Sequence, residues 1–129
     1  MKLLLDTPVL LWWLHDSSRL RPATRDLIAE AKNELLWSAA STWELGIKVH
    51  LGKLRLPEPL PVFVKRTIRS QGLTSLPVEH EHAVVVADLP PIHLDPFDRM
   101  LVAQSMVESA RLLTADPQLR AYGVDCLEA

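Results

Sequence analysis

The chain has 129 residues, 48% of them hydrophobic, with a formal net charge of −2. That length supports one compact domain, residues 1–129, with a proper core, and the charge excludes a protein that grips nucleic acid through a bulk basic surface. The single cysteine, Cys126, excludes an internal disulfide and has no neighbouring metal-ligand spacing.

"KLLLD" is a short apolar run closed by an acid, and "TPVLLWWLHD" continues with apolar residues at helical spacing, which predicts strand, sharp turn, helix. Pro8 fits the first turn of that helix and Thr7 is its candidate cap. "RPATRDLIAEAKN" carries Leu27, Ile28 and Ala31 on one side and charge on the other, a second amphipathic helix. "ELLWSA" reads as a strand. Beyond it, Trp43, Ile47 and Leu51 predict a third helix from about Thr42 to Leu51, stopped by Gly52. "PVFVKRTIRSQG" is a fourth helix ended by Gly72, and "LTSLPV" a short strand. A fifth helix is expected from Glu79 to Leu89, closed by Pro90-Pro91. "PFDRMLVAQSMVESA" is a helix, "RLLTAD" strand and turn, "PQLRAYG" a helical turn and "VDCLEA" a last strand holding a buried Cys126.

The resulting order, β-α-α-β-α-α-β-α-α-β-α-β, predicts an α/β protein whose parallel sheet is covered on both faces. In such sheets ligands sit beyond the carboxyl ends of the strands, at the switch point. The apolar runs are broken by charge or proline well short of the roughly 20 residues of a membrane span. No small-residue cleavage pattern follows the first run, which contains Asp6, so a signal peptide is not expected and a cytoplasmic location is.

Asp6 closes strand one and Asp116 follows strand four, so both should emerge at the carboxyl edge. Glu44 lies early in the helix after strand two, and Asp98 in the first turn of the helix feeding strand four. All four sit among apolar neighbours, where a carboxylate is costly to desolvate unless a cation meets it. Together they would repel and raise one another's pKa, a conflict that a divalent ion removes. An all-oxygen set suits Mg²⁺ or Mn²⁺ rather than zinc, and the matching reaction is phosphodiester hydrolysis. The hydroxyls of Thr7 and Thr114 adjoin the strand-end acids and are placed to orient a water or a carboxylate. Each acid also has a structural reading. Asp95, Pro96 and Asp98 form a capping arrangement, Asp116-Pro117 caps a short helix, Glu44 can pair with Lys48 one turn on, and Asp6 can cap at Thr7-Pro8.

Other chemistries lack their residues. The five histidines include "HEH" at 80–82 but no HExxH. With four glycines there is no phosphate loop, and no GxSxG elbow occurs. The four tryptophans, at 12, 13, 37 and 43, read as core or interface residues. Two basic stretches, Lys48, His50, Lys53 and Arg55, then Lys65, Arg66 and Arg69, read equally as solvated helix faces or local patches.

"LLLDTPVLLWWL", "SAASTWELGIKVHLGKL", "DPFDRMLVAQS" and "LLTADPQLRAYGV" resemble, in order and spacing, the motif blocks of PIN-domain ribonucleases, specifically the VapC-type toxins of bacterial toxin–antitoxin pairs. The resemblance covers essentially the whole chain. It implies a three-layer α/β/α sandwich with a parallel sheet of four or five strands and a Mg²⁺- or Mn²⁺-dependent endoribonuclease site. The family's four acids fall on Asp6, Glu44, Asp98 and Asp116, its small hydroxyl residues on Thr7 and Thr114, and Asp95 is implied to be an outer or capping acid. Close relatives commonly carry a polar residue where Pro8 stands, which touches substrate handling more than metal binding. The resemblance also implies a homodimer and a cognate antitoxin, with Trp12, Trp13, Phe63 and Val64 as candidate contacts. A non-catalytic domain receiving a basic peptide in the acidic cleft, and a DNA-directed or structure-specific nuclease, are the competing functions.

Overall fold

The computed structural model describes residues Met1–Ala129. The elements run β1 (Lys2–Leu5), α1 (Thr7–Leu14), α2 (Pro22–Ala29), β2 (Glu34–Ser38), α3 (Ala39–His50), α4 (Leu60–Ser70), β3 (Thr74–Leu76), α5 (His80–Asp88), α6 (Pro96–Glu108), β4 (Arg111–Thr114), a short 3₁₀ helix (Pro117–Tyr122) and β5 (Cys126–Glu128). The five strands are all parallel in the order β3-β2-β1-β4-β5. The chain builds outward from β1 through β2 to β3, then returns to lay β4 on the other side of β1. The switch point therefore falls between the carboxyl ends of β1 and β4.

Side chains along a strand alternate between faces, and the leucine-rich strands use both. Leu3, Leu5, Leu35, Trp37 and Leu113 face a core shared with Val9 and Leu10 of α1, Ile28 of α2, Leu45 of α3 and Phe63 of α4. Leu4, Leu36, Leu76 and Leu112 face the opposite core, with Leu101 and Val102 of α6 and Leu119 and Tyr122 beyond β4. A fully apolar strand is what a sheet buried on both sides requires. The sheet covered on both faces that the alternation of elements predicts, and the three-layer sandwich that the family resemblance implies, are both observed.

Local chemistry corrects several boundaries. The first helix is capped by Asp6, whose Oδ1 accepts the Thr7 N–H at 2.8 Å, so Thr7 is the first helical residue rather than the cap. Helix α3 begins at Ala39, three residues ahead of the expected Thr42, because Ser38 caps it by accepting the Ala40 N–H at 3.0 Å. Gly52 terminates that helix at φ 72°, a left-handed conformation that glycine adopts without strain. Ala31 lies beyond α2, and Cys126 is half-buried rather than buried. Phe63 is buried in the core against which the half-buried Trp12, Trp13 and Val64 pack. Trp43 is the opposite case: it is 66% exposed, and with Ile47 and Leu51 it forms an apolar stripe on the outside of α3. No helix is long and apolar enough to cross a membrane.

Candidate metal centre

Asp6, Pro8, Glu44, Lys48, Asp95, Asp98, Ala115 and Asp116 line one cleft of about 360 Å³ at the switch point. The fold brings them there by position alone. Asp6 is the residue after β1, Asp116 follows β4 by two, Glu44 sits in the second turn of α3, and Asp98 in the first turn of α6. Five of the seven residues singled out in the sequence thus share a single cavity. The other two, Thr7 and Thr114, are buried beside it.

Asp6 is held from both sides. Its Oδ1 accepts the Thr7 backbone N–H and its Oδ2 accepts the Thr114 hydroxyl, each at 2.8 Å. Burial raises its pKa above the ordinary carboxylate value, with the two hydrogen bonds opposing and the Glu44 and Asp116 charges adding to the rise. Thr114 Oγ1 also accepts the Asp116 N–H at 3.1 Å, so one hydroxyl ties together the acids that end β1 and β4. The Thr7 hydroxyl, by contrast, is buried without a hydrogen-bond partner.

Asp95 and Asp98, three positions apart, are separated by their surroundings. Asp95 is the N-cap of α6, its Oδ1 accepting from the N–H groups of Phe97 at 2.8 Å and Asp98 at 3.1 Å. Asp98 has no such structural duty for its side chain. Burial pushes its pKa up to about 7, and the nearby Asp6, Asp95 and Glu44 charges add to this while His93 opposes it. Asp116 caps the 3₁₀ helix through the Gln118 N–H at 2.9 Å, leaving Oδ2 turned to His93. Glu44 is buried and pairs with Lys48 at 3.3 Å, the one-turn pairing its spacing allows.

Sequence reasoning passed over His93. Its Nε2 lies 2.9 Å from Asp116 Oδ2 and 3.4 Å from Asp98 Oδ2, and ligand atoms of the three residues fall within 4.8 Å of one another. The histidine stands two residues before Asp95, but no zinc-type spacing surrounds it; its acidic partners are assembled only by the fold. The "HEH" stretch has a structural role: His82 is buried, its Nδ1 accepts the Glu79 N–H at the start of α5 and its Nε2 meets Glu108 at 2.9 Å.

The donor set fits a hard divalent cation. Carboxylates from four elements line one cleft, where burial first and the charges of its acidic neighbours second raise Asp98, and Lys48 is the one ammonium among the lining residues. Further positive charge at that point would relieve the repulsion.

Comparison with known proteins gives the family. The family model for the PIN domain matches residues 3–125. Ribonuclease VapC22 of Mycobacterium tuberculosis is 30% identical over 122 residues, covering 92% of this chain and 90% of the relative. Ribonuclease VapC16 of the same organism is 42% identical over 59 residues, a match spanning 46% of this chain and 42% of that relative. Among solved structures, VapBC2 from Rickettsia felis bound to a promoter DNA fragment superposes with a TM-score of 0.74 at 14% identity, covering 99% of this chain and 98% of that one, a likeness of fold. On the family match along nearly its whole length and the relative that spans it, the chain belongs to the PIN domain family.

Proposed function

We propose that residues 1–129 form a single PIN domain acting as a metal-dependent endoribonuclease, the toxin of a type II toxin–antitoxin pair. The observation that carries this reading is the convergence of Asp6, Glu44, Asp98 and Asp116 on one cleft at the switch point. Both similar relatives bear ribonuclease names, and the Rickettsia felis structure is of a two-component VapBC assembly, which supports an RNA substrate and an antitoxin partner.

Asp6, Asp98 and Asp116 would hold the ion, with Glu44 completing the set from α3. Mg²⁺, or Mn²⁺, is the choice for oxygen ligands, and when bound it supplies a Lewis acid that acidifies a water and offsets charge at the scissile phosphate. Thr114 keeps the Asp6 carboxylate aimed, and Asp95 keeps the start of α6, hence Asp98, in place. The protein works in the cytoplasm as a homodimer, and its antitoxin silences it by covering this cleft.

The test is incubation of the antitoxin-free protein with a mixed cellular RNA pool and with single-stranded DNA, in Mg²⁺, Mn²⁺ or EDTA, beside Asp98→Asn. Discrete new RNA ends that need the metal and vanish in the variant are expected. Equal cleavage of DNA would assign a general nuclease, and a folded, metal-loaded protein that leaves RNA intact would overturn the reading.

A further inference from the structure

His93 is bonded on every side. Its backbone N–H donates to the Tyr122 hydroxyl at 2.8 Å, and Arg99 donates to that same hydroxyl and to the carbonyls of Val86, Leu89 and Pro90. The loop between α5 and α6 is therefore pinned from α6 and from the 3₁₀ helix. Its imidazole is fixed as well. The Asp95 backbone N–H points at Nδ1 at 3.0 Å, so Nδ1 must be an acceptor and the ring proton sits on Nε2. That Nε2–H donates to Asp116 Oδ2 and faces Asp98 Oδ2.

This tautomer decides between two roles. A histidine that binds a metal through Nε2 must carry its proton on Nδ1, where it would here meet the Asp95 N–H donor head-on. A donating Nε2–H instead orients the carboxylates while they keep their other lone pairs for an ion. We propose that His93 is a positioning residue of the metal centre, a fixed donor that sets the direction of Asp116 and Asp98 and is not itself a ligand.

His82 shows that the arrangement alone is structural, for it too accepts a backbone N–H on Nδ1 and meets a carboxylate with Nε2. Its partner, Glu108, lies outside the cleft. His93 differs in that Asp116 and Asp98 line the cleft, so the bond that steadies the loop also steadies the site.

The inference rests on the cleft binding a divalent ion, and the experiment separates the two. Mn²⁺ binding is measured by calorimetry on the wild type, His93→Ala and His93→Gln, with the Mn²⁺-loaded wild type examined by pulsed electron resonance for coupling to a directly bound nitrogen. Expected are an about 10- to 100-fold weaker Mn²⁺ affinity in His93→Ala, on the order seen when a residue that hydrogen-bonds to a metal ligand is lost, recovery in His93→Gln through its amide donor, and no bound-nitrogen signal. Unchanged affinity in His93→Ala, a Gln variant as weak as Ala, or a bound-nitrogen signal would each overturn it. The wild-type spectrum decides ligation even if His93→Ala unfolds. A wild type that binds no Mn²⁺ overturns the metal reading of the cleft itself.

Discussion

Thr114 Oγ1 donates to Asp6 Oδ2 at 2.8 Å across 108 residues of sequence. Thr114 ends β4 and Asp6 follows the last residue of its parallel neighbour β1, so the bond closes the switch point at the level of the acidic cleft. Thr114→Val keeps the shape of the side chain and removes the donor. A buried carboxylate left without that bond costs about 1–3 kcal/mol, so the variant should melt several degrees lower at neutral pH. Its Mn²⁺ affinity should fall about 10- to 100-fold, which titration of the refolded variant would check.

Asp98 makes the metal-free protein sensitive to pH. Its folded pKa of about 7 lies above the ordinary aspartate value of 3.8, so the folded state binds the extra proton between these limits. The stabilisation is full below about pH 4 and is lost as pH rises through 7. In EDTA, the melting temperature should therefore carry a falling component between pH 5 and 8, worth about 1–2 kcal/mol once solvent at the cleft mouth is allowed for. Asp98→Asn should flatten that component and melt higher than wild type at pH 8. Mg²⁺ should flatten it in the wild type by substituting for the proton. A wild-type curve that rises across this interval as steeply as that of the variant would contradict the assignment.

The alternation of apolar runs, caps and stops carried most of the architecture, because parallel strands buried on both faces must be continuously apolar and helices announce their ends with proline, glycine and small polar caps. Asp6, Glu44, Asp98 and Asp116 were legible as a group for the same reason: the ends of β1 and β4 and the N-terminal turns of α3 and α6 lie at one edge. His93 was not, since its partners are Asp98 and Asp116 in space and nothing at its own position marks it. Trp43 was half legible. Its four-residue spacing with Ile47 marks a stripe, but spacing does not say which face of α3 meets the sheet, and Leu45 is the residue that does.

That last distinction is measurable. Trp37 is 2% exposed and donates Nε1–H to the Thr42 hydroxyl, whereas Trp43 is 66% exposed and stands at 78° to the Phe97 ring, with centroids 5.1 Å apart. Trp37→Ala should cost about 3–5 kcal/mol through the cavity it leaves. Trp43→Ala should cost about 1 kcal/mol, the scale of one aromatic pair. Chemical denaturation of both variants gives the comparison, and equal losses would mean that the outer face of α3 is covered in solution.

Lys48 is the cation already present in the cleft, 3.3 Å from Glu44. An arriving divalent ion meets a site partly neutralised by that ammonium, so Lys48→Met should bind Mn²⁺ more tightly. A half-exposed pair is worth about 0–1 kcal/mol, which limits the gain to about fivefold. Weaker Mn²⁺ binding in Lys48→Met would mean that Lys48 holds Glu44 in a binding orientation and does not compete for it.

Two aspartates three residues apart give the sharpest contrast. Asparagine caps a helix about as well as aspartate, so Asp95→Asn should preserve α6 and the two N–H bonds that its Oδ1 accepts. It also removes one of the charges that raise Asp98. Asp98 should then ionise at lower pH and Mn²⁺ binding should persist further into the acid range, with RNA cleavage retained. Asp98→Asn should instead keep the fold and lose both metal binding and cleavage. The pair is read by Mn²⁺ titration at pH 6 and pH 8 together with mapping of RNA ends. If Asp95→Asn loses the metal as completely as Asp98→Asn does, Asp95 contributes an oxygen to the ion as well as a cap to the helix, and its charge cannot be replaced by an amide.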